Sequence, residues 1–341
     1  MSLPAVNLVN IGLMLASAAV AFVVPFETFL LAYAVLGPLH YLTQISWLHD
    51  RQYFAQQPRD WVPLLVVSVV VTAFSLLAVG YPSWQPAAAW SPDLMLWCLL
   101  WGLLVVVTKD RVLRVAGSVV AAAAVLLLHG RSPSTVFAML WLPTLVHVFL
   151  FTGLFVLYGT LKNRSGTGWL SLLVFVGCGA LTLLLPVGNL GYEASTYVQE
   201  AYQGTMGQMH VRLLNTSGLG AVAVAGAASG GTWAPFPSLA AMLQNDVSVQ
   251  LGRFIGFAYT YHYLNWFSKT SVIRWHQVPR RRLVAAVVIW LASVTLYFVD
   301  YEHGLRWLFL LSLLHVVLEF PLDWKTLLAI PRELQPRGTT T

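Results

Sequence analysis

Ten runs of apolar residues dominate this chain, at about 5–24, 26–48, 61–80, 93–108, 112–129, 135–161, 168–186, 248–268, 281–299 and 304–322. At 1.5 Å per residue, about 20 helical residues cross the roughly 30 Å hydrocarbon layer of a bilayer. The composition agrees: 58% of the 341 residues are hydrophobic and only 9% are charged, against about 25% charged in a soluble domain. The expected fold is all-α, a polytopic integral membrane bundle of about ten transmembrane helices. It forms a single transmembrane domain over 1–330, followed by a short cytoplasmic tail at 331–341. The first two runs nearly abut at Pro25. No Lys or Arg precedes the first run. It therefore lacks the basic start of a cleaved signal peptide and is expected to stay as a helix.

The formal charge of +6 points to membrane topology rather than to nucleic acid. Arg51 and Arg59 follow the second run, Lys109, Arg111 and Arg114 the fourth, and Lys162 and Arg164 the sixth. Lys269, Arg274 and Arg280–Arg282 follow the eighth, and Lys325, Arg332 and Arg337 the tenth. The alternate connections hold only Arg131, Arg212, Arg306 and Arg253 at a helix edge. The positive-inside rule then places both termini in the cytoplasm. The long connection, about 190–245, lies outside. Its first half is polar and helix-compatible. Its Gly- and Ala-rich second half, about 217–240, is expected as a loop, a re-entrant segment or a lid. Cys98 and Cys178 both sit in apolar runs, too few for a disulfide framework or a zinc ribbon. The chain has no internal repeat, P-loop or GxGxxG.

The stretch FIGFAYTYHYLNWFSKTSVIRWH, residues 254–276, carries the main functional signal. His262 lies inside an apolar helix, with Tyr259, Tyr263 and Trp266 at helical spacing as candidate walls of a substrate cavity. Intramembrane ionisable residues mark sites more often than they face lipid. The arrangement recurs in His40, His147 and His315. All four helices run in the same direction, and each histidine precedes the next basic residue by between seven positions (His262 to Lys269) and fifteen (His147 to Lys162). Their depths therefore agree to within about 12 Å, and four imidazoles at one level can converge. His49, His276, His303, His210 and His129 lie in flanks or connections and are expected to be interfacial.

Neutral imidazole suits iron, copper, zinc and nickel. Gly37-Pro38 precedes His40, Pro143 precedes His147 and Pro321 follows Glu319. Such bends are tolerated where a helix lines a site. Glu319, four residues beyond His315, is the candidate catalytic carboxylate, placed to orient a ligand imidazole through its second nitrogen. Thr43 and Gln44 share the His40 side of their helix as further polar contacts and as candidate cavity residues. No two histidines lie within five residues of each other, which excludes the HxxxH and HxxHH clusters of membrane desaturases; HExxH is also missing. All lysines are boundary residues, against a retinal Schiff base. Glu319 reads as the only deep acid, against coupled transport. Two metal readings survive, one ion held by four histidines or haem held by histidine pairs, besides a transporter or scaffold whose histidines are structural.

The stretch GPLHYLTQ around His40 resembles the early Gly-x-x-His motif of the bacterial Brp/Blh family of β-carotene 15,15'-dioxygenases. YHYLNWFSKTSVIRWH, from Tyr261, is similar to that family's later His-aromatic-Trp region. The chain departs from the family pattern at Gln44, where an acid is usual, and at Trp266, where a second histidine is usual. The resemblance implies a bacterial inner-membrane oxygenase that cleaves a carotenoid or other lipid with O2. Its Fe(II) would be held by His40, His147, His262 and His315; haem, copper or zinc are the other metals that suit imidazole.

Overall fold

The computed structural model describes residues 2–187, 192–219, 233, 236–269, 273–274 and 277–335. Among them the regular structure is helical throughout, with no strand. In chain order the elements are α1 (Leu3–Val23), α2 (Pro25–Leu31), a π-helical turn π1 (Ala32–Leu36), α3 (Gly37–Asp50), α4 (Val62–Gly80), α5 (Ser91–Val107) and α6 (Arg111–Leu128). A long π-helical stretch π2 (Phe137–Phe151) continues into α7 (Thr152–Asn163) and is followed by α8 (Gly166–Leu184). Then come α9 (Thr196–Gln203), α10 (Thr205–Thr216), α11 (Asp246–Ser268), α12 (Arg280–Val299) and α13 (Tyr301–Leu334).

All ten apolar runs are helical where hydropathy places them, and the chain is an all-α polytopic bundle. Eight helices among the described residues are long and apolar enough to cross a membrane. The other two expected spans are the segment at 25–50, divided by π1, and α11, which carries Arg253, His262 and Asn265 among its apolar residues. The last helix continues past the expected end at 322, through Pro321 and Pro331, to Leu334. The start of the expected tail, to Leu334, is therefore helix.

Both π segments sit on prolines. Pro38 has no N–H and its ring crowds the carbonyl four residues back. The chain answers by widening: Gly37 N–H bonds to Ala32, five residues earlier. Pro143 lies inside π2, where the same crowding is relieved by i→i+5 geometry. His40 and His147 follow these prolines by two and four residues.

The chain falls into two compact units, 1–40 with 170–307 and 41–169 with 308–341. In the first, α11 is the central helix, packed on α1, α2 and π1. Gly252 and Gly256 allow the approach: a Cβ on Gly252 would sit 2.9 Å from the Phe26 ring, and one on Gly256 would sit 2.9 Å from the Pro25 carbonyl oxygen. Small residues four apart let membrane helices approach this closely. Asn10 of α1 accepts hydrogen bonds from Tyr261 (3.2 Å) and Ser268 (3.1 Å). Arg253, read from sequence as a boundary cation, is buried within α11. Its guanidinium donates to the carbonyls of Leu185, Pro186 and Val187 beyond the end of α8 and lies against the Phe22 ring.

The first half of the long connection is helical, as expected, and is tied to this unit. Glu27 accepts from Tyr192 Oη (2.9 Å) and the Ser195 N–H (3.1 Å), and Glu302 accepts from Thr205 Oγ1 (2.8 Å). His210, expected at an interface, is only 1% exposed. Its Nε2 lies 2.9 Å from Ser248 Oγ, and burial holds its pKa down from 6.5 to about 3. It is a neutral core residue. Most of the Gly- and Ala-rich half at 217–240, and His276, lie outside the described residues.

In the second unit, Leu313, Leu314, Val316, Val317, Leu318 and Phe320 of α13 pack with Leu48, Leu64, Met95, Cys98 and Leu142. Gly102 of α5 meets Phe320, where an added Cβ would fall 2.8 Å from the phenylalanine Cβ. Asp60 and Arg114 form a buried ion pair at 2.6 Å, and Trp101 Nε1 donates to the Asp60 carbonyl. The window that marks α13 as a candidate span is 61% buried, against 17% for α6. The helix carrying His315 is thus a core helix, and α6 is largely exposed.

Candidate metal centre

The four histidines of interest are all buried, two in each unit. In the first unit, α3 and α11 bring His40 and His262 together although they are 222 residues apart. Their Nε2 atoms are 3.2 Å from each other, and their rings cross at 68°. Tyr263, Trp266 and Phe267 pack on the His40 ring at centroid distances of 5.1, 5.4 and 6.5 Å. Tyr259, one turn before Tyr263, continues the aromatic wall to Phe29 (4.9 Å) and Tyr33 (5.9 Å). The predicted cavity residues Tyr259, Tyr263 and Trp266 therefore share one aromatic neighbourhood, with His40 and His262 at its end.

A 3.2 Å separation fits one neutral imidazole donating to the other. It also fits two cis ligands of one ion, since metal–nitrogen bonds of about 2.0–2.1 Å at tetrahedral to octahedral angles put the nitrogens about 2.8–3.4 Å apart. Trans ligation of haem needs the two nitrogens about 4 Å apart, with the porphyrin between them. The observed pair is closer than that.

In the second unit, π2 and α13 bring His147 and His315 to a ring-centroid distance of 5.2 Å, crossed at 76°. Tyr41 stacks on His315 at 4.2 Å. The sequence suggested that Glu319 would serve His315, its neighbour on the same helix face. Glu319 Oε2 is instead 3.7 Å from His147 Nδ1, at ion-pair rather than hydrogen-bond distance, while His315 Nδ1 faces its own Leu311 carbonyl at 3.3 Å. A hydrogen-bond partner on Nδ1 orients an imidazole and leaves Nε2 as the nitrogen offered to a metal, a role that the Leu311 carbonyl fills for His315. Gln44 Nε2 donates to Glu319 Oε2 at 2.5 Å, fixing the carboxylate from α3. Thr43 is buried on the same helix.

Among the described residues, no group of three or more His, Cys, Asp or Glu side chains is arranged to hold a metal ion. The histidines read as boundary residues divide. His49 and His303 are exposed beside Asp50 and Asp300, and His129 stacks on Trp90 with Nδ1 2.9 Å from Asp93. Glu319 is not the only deep acid, because Asp323 is also buried on α13. Its signal was present as a second four-residue step beyond His315, hidden by the Trp324-Lys325 boundary that follows. No family model, curated protein or solved structure matches the chain.

Proposed function

We propose that this protein is a membrane-embedded, metal-dependent oxygenase acting on a lipid-soluble substrate, with a carotenoid as the first candidate. His40 and His262 are the ligands of one unit, and His147 and His315 those of the other. The observation that carries this reading is the His40–His262 pair. Two Nε2 atoms meet at cis-ligand distance, at the end of an aromatic wall suited to a polyene. Non-haem Fe(II) would supply O2 activation, and cleavage of a carbon–carbon double bond by one O2 gives two carbonyls. The protein's own part is to keep the imidazoles neutral and oriented and to exclude water with Tyr263, Trp266 and Phe267. Glu319, held by Gln44, positions His147. We place both termini on the cytoplasmic side, and a substrate dissolved in the bilayer enters between helices.

Metal analysis and an optical spectrum of the purified protein test this reading, together with product analysis of membranes supplied with β-carotene. Iron without a Soret band, and aldehyde products dependent on O2, are expected. A Soret band would select haem. A protein with no bound metal and no turnover would return the histidines to a structural role.

A further inference from the structure

Asp323 lies four residues past Glu319, which lies four past His315, so the three share one face of α13 at about 6 Å steps along the axis. Asp323 is 1% exposed, and neither of its buried carboxyl oxygens has a hydrogen-bond partner among the described residues.

The helices packed on this part of α13 bring no countercharge. In the 51–61 segment, whose Tyr53 and Trp61 share this core, Arg51 and Arg59 are exposed, with Arg51 over the Trp47 ring, and Asp60 is paired with Arg114. Leu48 of α3, Leu64 of α4, Cys98 of α5 and Leu142 of π2 share its core, and none of these four elements carries a Lys or Arg. The ionisable or polar groups that these elements bring to the stripe are the Tyr41 ring stacked on His315, the Gln44 amide on Glu319, and His147 beside Glu319, with the buried Cys98 thiol in the same core. Trp324 donates to the Leu99 carbonyl (2.8 Å), which holds this turn of α13 against α5. Lys325 is exposed, with its ammonium over the Phe54 ring at 5.3 Å. Two residues along a helix point to different faces, so Lys325 is not placed to neutralise Asp323. An ionised carboxylate in such a setting bears a large desolvation cost with nothing to offset it. A protonated one is neutral.

We propose that Asp323 is a proton-binding site. It holds one proton as a neutral carboxylic acid at neutral pH and exchanges it with water from the exposed end of α13. The step is a proton transfer in which one O–H bond of hydronium breaks as one O–H bond to a carboxylate oxygen forms, leaving water and a neutral carboxylic acid, with no redox partner required. The assignment does not depend on a metal at the histidines.

Infrared spectroscopy of the full-length protein at neutral pH, well above the ordinary Asp pKa near 3.9, tests it. A protonated-carboxyl C=O band is expected that moves on transfer to D2O without unfolding. One component should be lost in Asp323→Asn, displaced in Asp323→Glu and unchanged in Asp300→Asn. If Asp323→Asn does not fold, the displacement in Asp323→Glu decides. Coincident spectra for the wild type and the Asp323 variants would overturn the proposal. So would a D2O response seen only on unfolding, or loss of the component on adding sodium at constant pH, which would make the occupant a metal cation.

Discussion

In both the His40–His262 and the His147–His315 neighbourhoods one histidine follows a proline at a π-helical segment and meets a histidine on a regular α-helix, yet the surroundings of the two pairs differ. Around His40 the neighbours are rings: His262, Tyr263, Trp266 and Phe267. Around His147 they include a carboxylate fixed by an amide, with Asp323 one turn further along α13. An imidazole walled by aromatics is suited to meet an apolar substrate or a metal. One beside a buried acid can have its tautomer and charge controlled by that acid. The chemistry of each pair therefore depends on its neighbours more than on the histidine itself.

The sharpest way to break this comparison is to remove the rings one at a time. His40→Ala and His262→Ala are each expected to lose most bound iron, and the double variant should be little worse than either single one, because ligands of one ion act as a unit. His129→Ala should keep its iron. His147→Ala and His315→Ala decide whether the second pair serves the same ion. Loss of all the iron makes one centre, loss of half makes two, and full retention confines the metal to the first pair.

Next in size is Glu319→Gln. If the carboxylate positions His147, iron occupancy or turnover should fall about 10–100-fold with the fold intact. Wild-type values would make Glu319 a packing residue and remove the contrast between the two neighbourhoods.

A third prediction compares the scaffolds. Gly256→Leu in the first unit and Gly102→Leu in the second each force a side chain into close contact, against the Pro25 carbonyl oxygen and Phe320 respectively. Each should destabilise by about 1–3 kcal/mol, read as a lower thermal midpoint in detergent. An unchanged midpoint in either would show that its helix contact yields readily.

The smallest expected effect is the pH response of His210. Its folded pKa, about 3, lies below the ordinary 6.5, so the unfolded chain binds more protons between those values. Its contribution to stability is complete above about pH 6.5 and declines as pH falls, by about 1 kcal/mol over the first pH unit. The thermal midpoint of the wild type should drop through this window, and that of His210→Gln should drop less. Parallel curves would remove His210 as the source.

Much of the fold was legible because hydrocarbon imposes a single local rule, that backbone polar groups be satisfied within the helix. Ten apolar runs therefore became ten helical segments. Local chemistry also marked the proline bends before His40 and His147, since a missing N–H and a crowding ring act on the residue's own turn. Helix-face spacing correctly grouped Tyr259, Tyr263 and Trp266.

Other features depended on which helices meet. Glu319 was assigned to His315 because both share a face, but residues on a shared face can each turn to a neighbouring helix, and π2 supplied His147. His210 and Arg253 looked like boundary residues because sequence shows polarity and not enclosure. Asp323 was hidden for the same reason. What the sequence by itself determined was the helical membrane bundle and the residues able to carry chemistry. Tertiary structure alone decided the pairings: His262 reached His40 across 222 positions and Gln44 reached Glu319 across 275. Periodicity specifies which face a residue occupies, while close packing specifies what that face will touch.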